Sequence, residues 1–232
     1  MEELKTKNNK IFHKKYILFD LDGTLIDPAL GFGNAWEFAL KKYNICVEDM
    51  SVLNSFIGLP IQDSFIQHFG FSQQQAIEAH KYFRDYIMNK GIFEYSVYNG
   101  IISLLNALKN AEKTLILASS KLIEFSDKTL QHAGIDIFFS FISGSERGKT
   151  GGKDIRTDKA EVIAFALEQC NISNLSEAVM IGDKYQDIIG AKQNNISSIG
   201  VSYGYGSLEE LQKAQPDYIA NTPIEIAKIL CK

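Results

Sequence analysis

Short runs of apolar residues alternate along the chain with longer stretches in which apolar positions recur every three or four residues. The short runs lie at residues 16–19, 114–118, 140–143, 178–181, 197–201 and 218–220. Runs that are apolar at nearly every position suit strands buried on both faces, as in a parallel sheet. The stretches between them predict helices at residues 122–133, 158–170 and 187–193. The pattern therefore predicts an α/β fold in which a mostly parallel, doubly wound sheet carries helices on both faces.

Residues 29–97 interrupt this alternation. They show helical periodicity at 29–43, 47–56, 61–69 and 72–90 and contain no convincing strand. A connection between a strand and the next element is usually only a few residues long, so this segment predicts an insertion with its own fold. We expect a Rossmann-like core domain at residues 1–28 and 98–232 and an all-helical cap domain at residues 29–97.

Composition and charge narrow the class of function. A net charge of −4 over 232 residues gives no basic surplus, so we do not expect the chain to bind a nucleic acid polymer. No apolar run approaches the roughly 20 residues that cross a bilayer, and the lysine-rich start lacks the apolar core of a signal peptide. Cys46, Cys170 and Cys231 are far apart and odd in number, which indicates free thiols in a reducing cytoplasm. We therefore expect a cytoplasmic protein that does not bind a membrane.

The first apolar run ends in two acidic residues. Asp20 and Asp22 are two positions apart, so they project to one side if the extended conformation persists. The carboxyl ends of strands are where open α/β sheets bind ligands. Two carboxylates so close repel one another unless a cation or a shared proton relieves the repulsion. Gly23 and Thr24 follow, and a glycine lets the backbone turn tightly and approach a ligand.

Two further strands end in polar groups at the same predicted edge. Ser119 and Ser120 follow the run at 114–118, and Asp183 follows the run at 178–181 with Asp187 one helical turn later. A ligand set rich in carboxylate oxygen and free of histidine suits Mg²⁺ and not zinc. The sequence therefore predicts a magnesium site.

A lysine completes this constellation. Asp158 and Glu161 predict the start of a helix, and Lys159 lies on the extension of its apolar stripe, facing the sheet. A lysine beside a helix N-terminus suits a phosphate oxygen. The competing lysines are at positions 121, 149 and 153. The stretch at 144–153 is similar to a P-loop, but Ser143 stands where the first glycine is required, so we do not expect nucleoside triphosphate hydrolysis.

These residues resemble the motifs of the haloacid dehalogenase superfamily. DLDGT at 20–24 is similar to its first motif, Ser119 to its second, Lys159 to its third and GDKYQD at 182–187 to its fourth. The helical insertion also falls where members with an all-helical cap carry it. FIGLPIQDSF at 56–65 and GVSYGYGSLEEL at 200–211 resemble the phosphoglycolate phosphatase and 5′-nucleotidase branch.

The resemblance implies a role for each residue. Asp20 is expected to be the nucleophile that forms an aspartyl-phosphate, and Asp22 the general acid and then the general base. Ser119 and Lys159 are expected to hold the phosphoryl oxygens.

The remaining roles concern the metal and the substrate. Asp20, the main-chain carbonyl of Asp22 and Asp183 are expected to hold Mg²⁺, with Asp187 as a direct ligand or a neighbour of one. The substrate-binding residues are expected to be Gly23, Thr24, Ser119, Ser120, Lys159 and Gly58, the last in a cap turn that reaches the substrate.

The expected function is hydrolysis of a small phosphate monoester, either phosphoglycolate-like or a nucleoside 5′-monophosphate. An acid at Asp22 favours this reaction over carbon–halogen cleavage, because a halide leaves without a proton and an alkoxide does not. Two alternatives stay open. One is a phosphotransferase of the β-phosphoglucomutase kind, and the other is a non-catalytic binding protein that retains the fold. The oligomeric state and the physiological substrate stay open as well.

Overall fold

The structure is a computed structural model that describes residues 13–57, 59–148 and 155–231. The chain divides into two compact units, one formed by Met1–Ile26 with Val97–Lys232 and the other by Asp27–Ser96. The strands are β1 (Tyr16–Phe19), β2 (Ile26–Asp27), β3 (Ser96–Val97), β4 (Thr114–Leu122), β5 (Phe139–Ser145), β6 (Ala178–Gly182), β7 (Ser197–Val201) and β8 (Tyr218–Ala220). The α-helices span Ala29–Lys41, Ile61–Phe69, Gln73–Asn89, Ile101–Asn110, Ile123–Ala133, Lys159–Gln169, Tyr185–Gln193, Leu208–Ala214 and Pro223–Leu230. Short 3-10 helices lie at Met50–Phe56, Gly91–Phe93, Asp136–Phe138 and Leu175–Glu177.

Six of the described strands form the main sheet of the first unit. Their order is β5-β4-β1-β6-β7-β8, and each adjacent pair is parallel. This arrangement confirms the predicted doubly wound α/β fold. Phe19 at the end of β1 pairs with Leu117 of β4 and with Ile181 of β6. The residues that follow these three positions therefore reach the same edge of the sheet.

Apolar residues on both faces hold the sheet. Leu18, Ile116 and Met180 are fully buried, and they pack in one cluster with Val162 and Ile163 of the helix Lys159–Gln169. Burial of an aliphatic side chain contributes about 1.5–3 kcal/mol, so this helix is held firmly against the strands that end at the edge described above.

The second unit is helical and is centred on Trp36. This side chain is fully buried, and its ring centroid lies 4.2 Å from that of Phe65 and 5.2 Å from that of Phe56. Ser72 and Gln75 form a capping box at the start of the helix Gln73–Asn89, which fixes where that helix begins.

The structure departs from the predicted elements in several places. The helix predicted at 47–56 is a 3-10 helix, Met50–Phe56, and the strand Ser96–Val97 lies inside the stretch predicted to be strand-free. β4 continues past residue 118 to Leu122 with a shift in its register to β5. Three further helices, to which the sequence pattern assigned no bounds, lie at Ile101–Asn110, Leu208–Ala214 and Pro223–Leu230. Among the described residues, no helix has both the length and the hydrophobicity required to cross a bilayer.

Candidate active site

Three neighbouring strands bring polar side chains to one edge of the sheet. Asp20 follows β1, Ser119 lies in β4 and Asp183 follows β6, and β1 lies between the other two. The main-chain N–H of Asp20 donates to the carbonyl of Ile181 at 2.9 Å, which continues the pairing of β1 with β6 to this point. The sheet itself therefore places Asp20 beside Asp183.

Asp20, Asp183 and Asp187 form a cluster of buried carboxylates. One oxygen from each lies within 4.8 Å of those of the other two, and the residues are 8%, 1% and 1% exposed. Lys159 Nζ lies 2.7 Å from Asp20 Oδ1 and 2.8 Å from Asp187 Oδ1, and it donates to the carbonyl of Ala118 at 3.0 Å. Among the lysines proposed from the sequence, the structure thus places Lys159 inside this cluster.

Burial and mutual repulsion set the proton affinities of the cluster. Burial raises the pKa of Asp183 to about 7, Asp20 and Asp187 add to the rise, and the Tyr205 N–H opposes it. Burial also raises the pKa of Asp187 to about 6, against the opposing charge of Lys159. Burial alone would lower the pKa of Lys159, but Asp187 and Asp20 outweigh it and the pKa is raised. Lys159 therefore stays charged, and the carboxylates exceed it in number.

The cluster fits a small divalent cation. Its donors are all carboxylate oxygens, the ligands that Mg²⁺ prefers. Asp187 Oδ1 is buried, and Lys159 Nζ at 2.8 Å is the cation beside it. A Cβ at position 23 would overlap the carboxylate of Asp183, so glycine there lets the turn at residues 21–26 lie against the cluster. Asp20, Asp183 and Asp187 could therefore hold a metal ion together.

Main-chain donors orient Asp183. Its Oδ2 accepts from the N–H groups of Tyr205 at 2.8 Å and Gly206 at 3.4 Å, while Thr24 Oγ1 lies 3.5 Å from Oδ1. The Tyr203 hydroxyl donates to the carbonyl of Thr24 at 3.0 Å. Sequence reasoning did not assign these tyrosines and Gly206 to the site, although they belong to the stretch at 200–211 that carries the family resemblance.

Asp22 lies outside the carboxylate cluster. β1 ends at Phe19 and the chain bends at Leu21, so the strand alternation does not extend to Asp22. The expectation that Asp20 and Asp22 share one direction is therefore not met. The Asp22 side chain is 34% exposed, and Lys121 Nζ lies 3.0 Å and 3.1 Å from its two oxygens. The two aspartates of the first motif are thus paired with different lysines, Asp20 with Lys159 and Asp22 with Lys121.

The other predicted substrate contacts differ in their surroundings. Ser119 is buried and its Oγ accepts from the Lys121 N–H at 3.4 Å, whereas the Ser120 side chain is exposed. The Gly23 and Thr24 N–H groups donate within their own turn, to the carbonyls of Ile26 and Leu21. Both N–H groups are therefore used to close the turn and do not point to a substrate here. Gly58, Lys149 and Lys153 lie outside the described residues.

Comparison with known proteins gives consistent matches. A family model described as haloacid dehalogenase-like hydrolase matches residues 17–201. A 5′-nucleotidase from Pseudomonas aeruginosa is 39% identical, and the match covers 87% of this chain and 89% of that protein. The tyrosine-protein kinase PtkA of Mycobacterium tuberculosis is 31% identical, with 88% of this chain and 68% of that protein covered. The crystal structure of a predicted phosphatase from Clostridium acetobutylicum is 44% identical with a TM-score of 0.79, covering 93% of this chain and 97% of that chain.

Relatives of 27–28% identity are named phosphoglycolate phosphatase, in agreement with the branch that the sequence resembles. The family match includes β1 from its second residue, the strands β4–β7, and each acid and lysine of the cluster. The chain belongs to the family of haloacid dehalogenase-like hydrolases.

Proposed function

We propose that this chain, a phosphoric monoester hydrolase, cleaves a small substrate in two steps through an aspartyl-phosphate on Asp20. One observation carries the choice of nucleophile. Within the carboxylate cluster the Asp20 side chain is 12% exposed and that of Asp187 is 1% exposed, while the whole of Asp183 is 1% exposed. Asp20 is thus the member of the cluster that a substrate can reach.

In the first step an oxygen of Asp20 forms a bond to phosphorus, and the bond from phosphorus to the leaving oxygen breaks. The leaving oxygen takes a proton from Asp22. In the second step water attacks phosphorus and the bond from phosphorus to the Asp20 oxygen breaks. Asp22 takes a proton from that water, and inorganic phosphate leaves. Because Asp22 lies outside the cluster and its side chain is 34% exposed, it can exchange protons with solvent between the steps.

Lys159 and Ser119 would hold the phosphoryl oxygens. The Lys159 ammonium already contacts Asp20 at 2.7 Å, so it can neutralise charge on the group that Asp20 receives. Ser119 is buried beside this pair in β4, with a hydroxyl that can turn towards a phosphoryl oxygen.

Mg²⁺ would be held by Asp20, Asp183 and the main-chain carbonyl of Asp22. Asp187 would either bind the ion directly or contact one of its ligands. The ion supplies positive charge that offsets the repulsion between an anionic nucleophile and an anionic phosphate. The excess of carboxylates over lysine in the cluster supports this assignment.

The names of the relatives guide the choice of substrates. We assign this chain to small monoesters such as nucleoside 5′-monophosphates or phosphoglycolate, with residues 29–97 as the cap that selects among them. The relative named tyrosine-protein kinase PtkA keeps a phosphotransferase as the second candidate, because transfer to an organic acceptor could start from the same aspartyl-phosphate.

Phosphate release is the test. Purified protein with Mg²⁺ is assayed on an aryl phosphate, nucleoside 5′-monophosphates, phosphoglycolate, sugar phosphates and pyrophosphate. Asp20→Asn should abolish release. The control Asp127→Asn, at a carboxylate that accepts a solvent-exposed hydrogen bond from Gln131, should retain it. Undiminished turnover in Asp20→Asn would overturn the nucleophile. Transfer to an organic acceptor with little free phosphate would favour the phosphotransferase, and no turnover on any ester would favour a binding protein.

A further inference from the structure

We propose that the segment 203–206, between β7 and the helix Leu208–Ala214, is a positioning element. It holds Asp183 and the turn at residues 21–26 in the geometry that binds Mg²⁺. The inference rests on the proposed metal site. It assigns a task to Tyr203, Gly204 and Gly206, which contact neither phosphate nor metal in the scheme above.

The segment fixes one oxygen of Asp183. Tyr205 and Gly206 direct two successive N–H groups at Oδ2, at 2.8 Å and 3.4 Å. Because Oδ2 is engaged with main-chain donors, the carboxylate cannot rotate freely about its own axis. Oδ1 has Thr24 Oγ1 at 3.5 Å, which is too long for a strong hydrogen bond. Asp183 therefore keeps one oxygen for a cation.

The same segment also holds the turn at residues 21–26, which follows the nucleophile Asp20 in the chain. The Tyr203 hydroxyl donates to the carbonyl of Thr24 at 3.0 Å. The Tyr203 ring meets the Tyr98 ring edge to face at a centroid distance of 5.0 Å, and the Tyr98 N–H donates to the carbonyl of Leu25. Both tyrosines thus hold neighbouring carbonyls of this turn.

Two glycines make this double attachment possible. A Cβ at position 204 would overlap the carbonyl oxygen of Gly23 and the Cβ of Asp183. A Cβ at position 206 would overlap the carbonyl oxygen of Asp183. The overlapping atoms are main-chain oxygens and a Cβ, and these cannot move aside as the end of a flexible side chain can. The alternation of tyrosine and glycine therefore lets the segment lie directly on Asp183 and on the turn.

Mg²⁺ binding without substrate tests the inference. The readout is the rise in unfolding temperature during titration with MgCl₂ alone, alongside the unfolding temperature in EDTA. Because this rise grows with ln(1 + c/Kd), where c is the free Mg²⁺ concentration, and has no plateau, the measured quantity is the Mg²⁺ concentration that gives a fixed rise. In Tyr203→Phe that concentration should increase about tenfold, in line with the 10–100-fold cost of losing groups that orient metal ligands. Gly204→Ala should increase it further. Tyr218→Phe in the edge strand β8 and Gly33→Ala, where an added Cβ meets nothing closer than 3.6 Å, are the matched controls and should bind as the wild type does.

Each outcome decides between roles. If Tyr203→Phe unfolds at a lower temperature in EDTA but responds to Mg²⁺ at wild-type concentrations, the segment is only structural and the inference is wrong. If Gly204→Ala does not fold, Tyr203→Phe alone decides. A wild-type protein with no response to Mg²⁺ would overturn both the metal site and this inference, even if phosphate release is measured. If the wild type, Tyr203→Phe and Gly204→Ala all respond to Mg²⁺ at the same concentration, this inference is wrong, while the proposed metal site is not contradicted.

Discussion

Lys121 Nζ lies within 3.1 Å of both carboxylate oxygens of Asp22, so a single ammonium group holds the residue to which we assign proton transfer. The pair arises because β4 continues beyond Ser119 to Leu122 and carries Lys121 along the edge of the sheet. The Lys121 side chain is 17% exposed and that of Asp22 is 34% exposed. A partly buried ion pair of this kind restricts the orientation of the carboxylate more than it stabilises the fold.

Replacing Lys121 should affect substrates according to their leaving group. In Lys121→Met we expect kcat/KM to fall about tenfold on alkyl phosphates, as part of the 10²–10⁴-fold that a positioned acid contributes. The loss should be smaller on a nitrophenyl phosphate, because nitrophenolate leaves without a proton. Steady-state phosphate release on both substrates measures the difference, with Lys128→Met, an exposed lysine of the helix Ile123–Ala133, as the control. Equal losses on the two substrates would contradict a role through Asp22.

Removing Lys159 should cost both stability and activity. It leaves the carboxylates of Asp20 and Asp187 buried without their cation, and breaking one partner of a buried ion pair costs about 3–5 kcal/mol. Lys159→Ala should therefore unfold at lower urea concentration in EDTA, and Mg²⁺ should restore part of the loss because it supplies positive charge to the same carboxylates. Phosphate release should fall at least tenfold. Unchanged kcat/KM would show that another lysine holds the phosphoryl group.

The helical unit offers a prediction that is independent of catalysis. Trp36 Nε1 is buried and has no hydrogen-bond partner among the described residues, while its ring packs against Phe65 and Phe56. Trp36→Ala should destabilise the unit by about 3–5 kcal/mol, since it empties the centre of the aromatic core. Trp36→Phe should cost clearly less, because it keeps a ring and removes the buried N–H. Urea unfolding followed by circular dichroism compares the two, and an equal loss in both variants would contradict this explanation.

The pattern of hydrophobic residues was sufficient to predict the main sheet and most of the carboxylate cluster with its lysine. The runs at 16–19, 197–201 and 218–220 match β1, β7 and β8 to the residue. Parallel pairing then brings Asp20 and Asp183 to one edge, since β1 and β6 are neighbours. Lys159 followed from the apolar stripe of its helix, which packs on the same strands.

The parts that the sequence did not predict depend on backbone geometry. Strand alternation failed at Asp22 because β1 ends at Phe19 and the chain bends at Leu21, between the two aspartates. The hydrogen bonds to Asp183 from Tyr205 and Gly206 were not predicted. Both come from main-chain N–H groups, which nearly every residue type has. Side-chain chemistry is visible in a sequence, whereas main-chain donors become visible only once the turn is known.

The pKa of Asp183 has a consequence for stability. In the metal-free protein, burial and then the charges of Asp20 and Asp187 raise this pKa to about 7, against an ordinary value of 3.8. The folded protein therefore keeps a proton that the unfolded chain has released at the same pH. Stability falls with rising pH wherever the folded state binds more protons. The contribution of Asp183 is thus most favourable near pH 4, is lost as the pH rises towards 7, and is constant above that.

Asp183→Asn removes this penalty, because an amide does not ionise and its oxygen can still accept from the Tyr205 N–H. In EDTA we expect the variant to unfold at the same temperature as the wild type near pH 4 and at a progressively higher temperature up to pH 7. In excess Mg²⁺ at pH 7 the order should reverse, since the wild type gains the free energy of metal binding and the variant loses a ligand. Differential scanning calorimetry across this range gives both comparisons. A variant that is less stable than the wild type in EDTA at pH 7 would contradict this explanation. It would show that Asp183 stabilises the metal-free fold, and that repulsion among the buried carboxylates does not destabilise it.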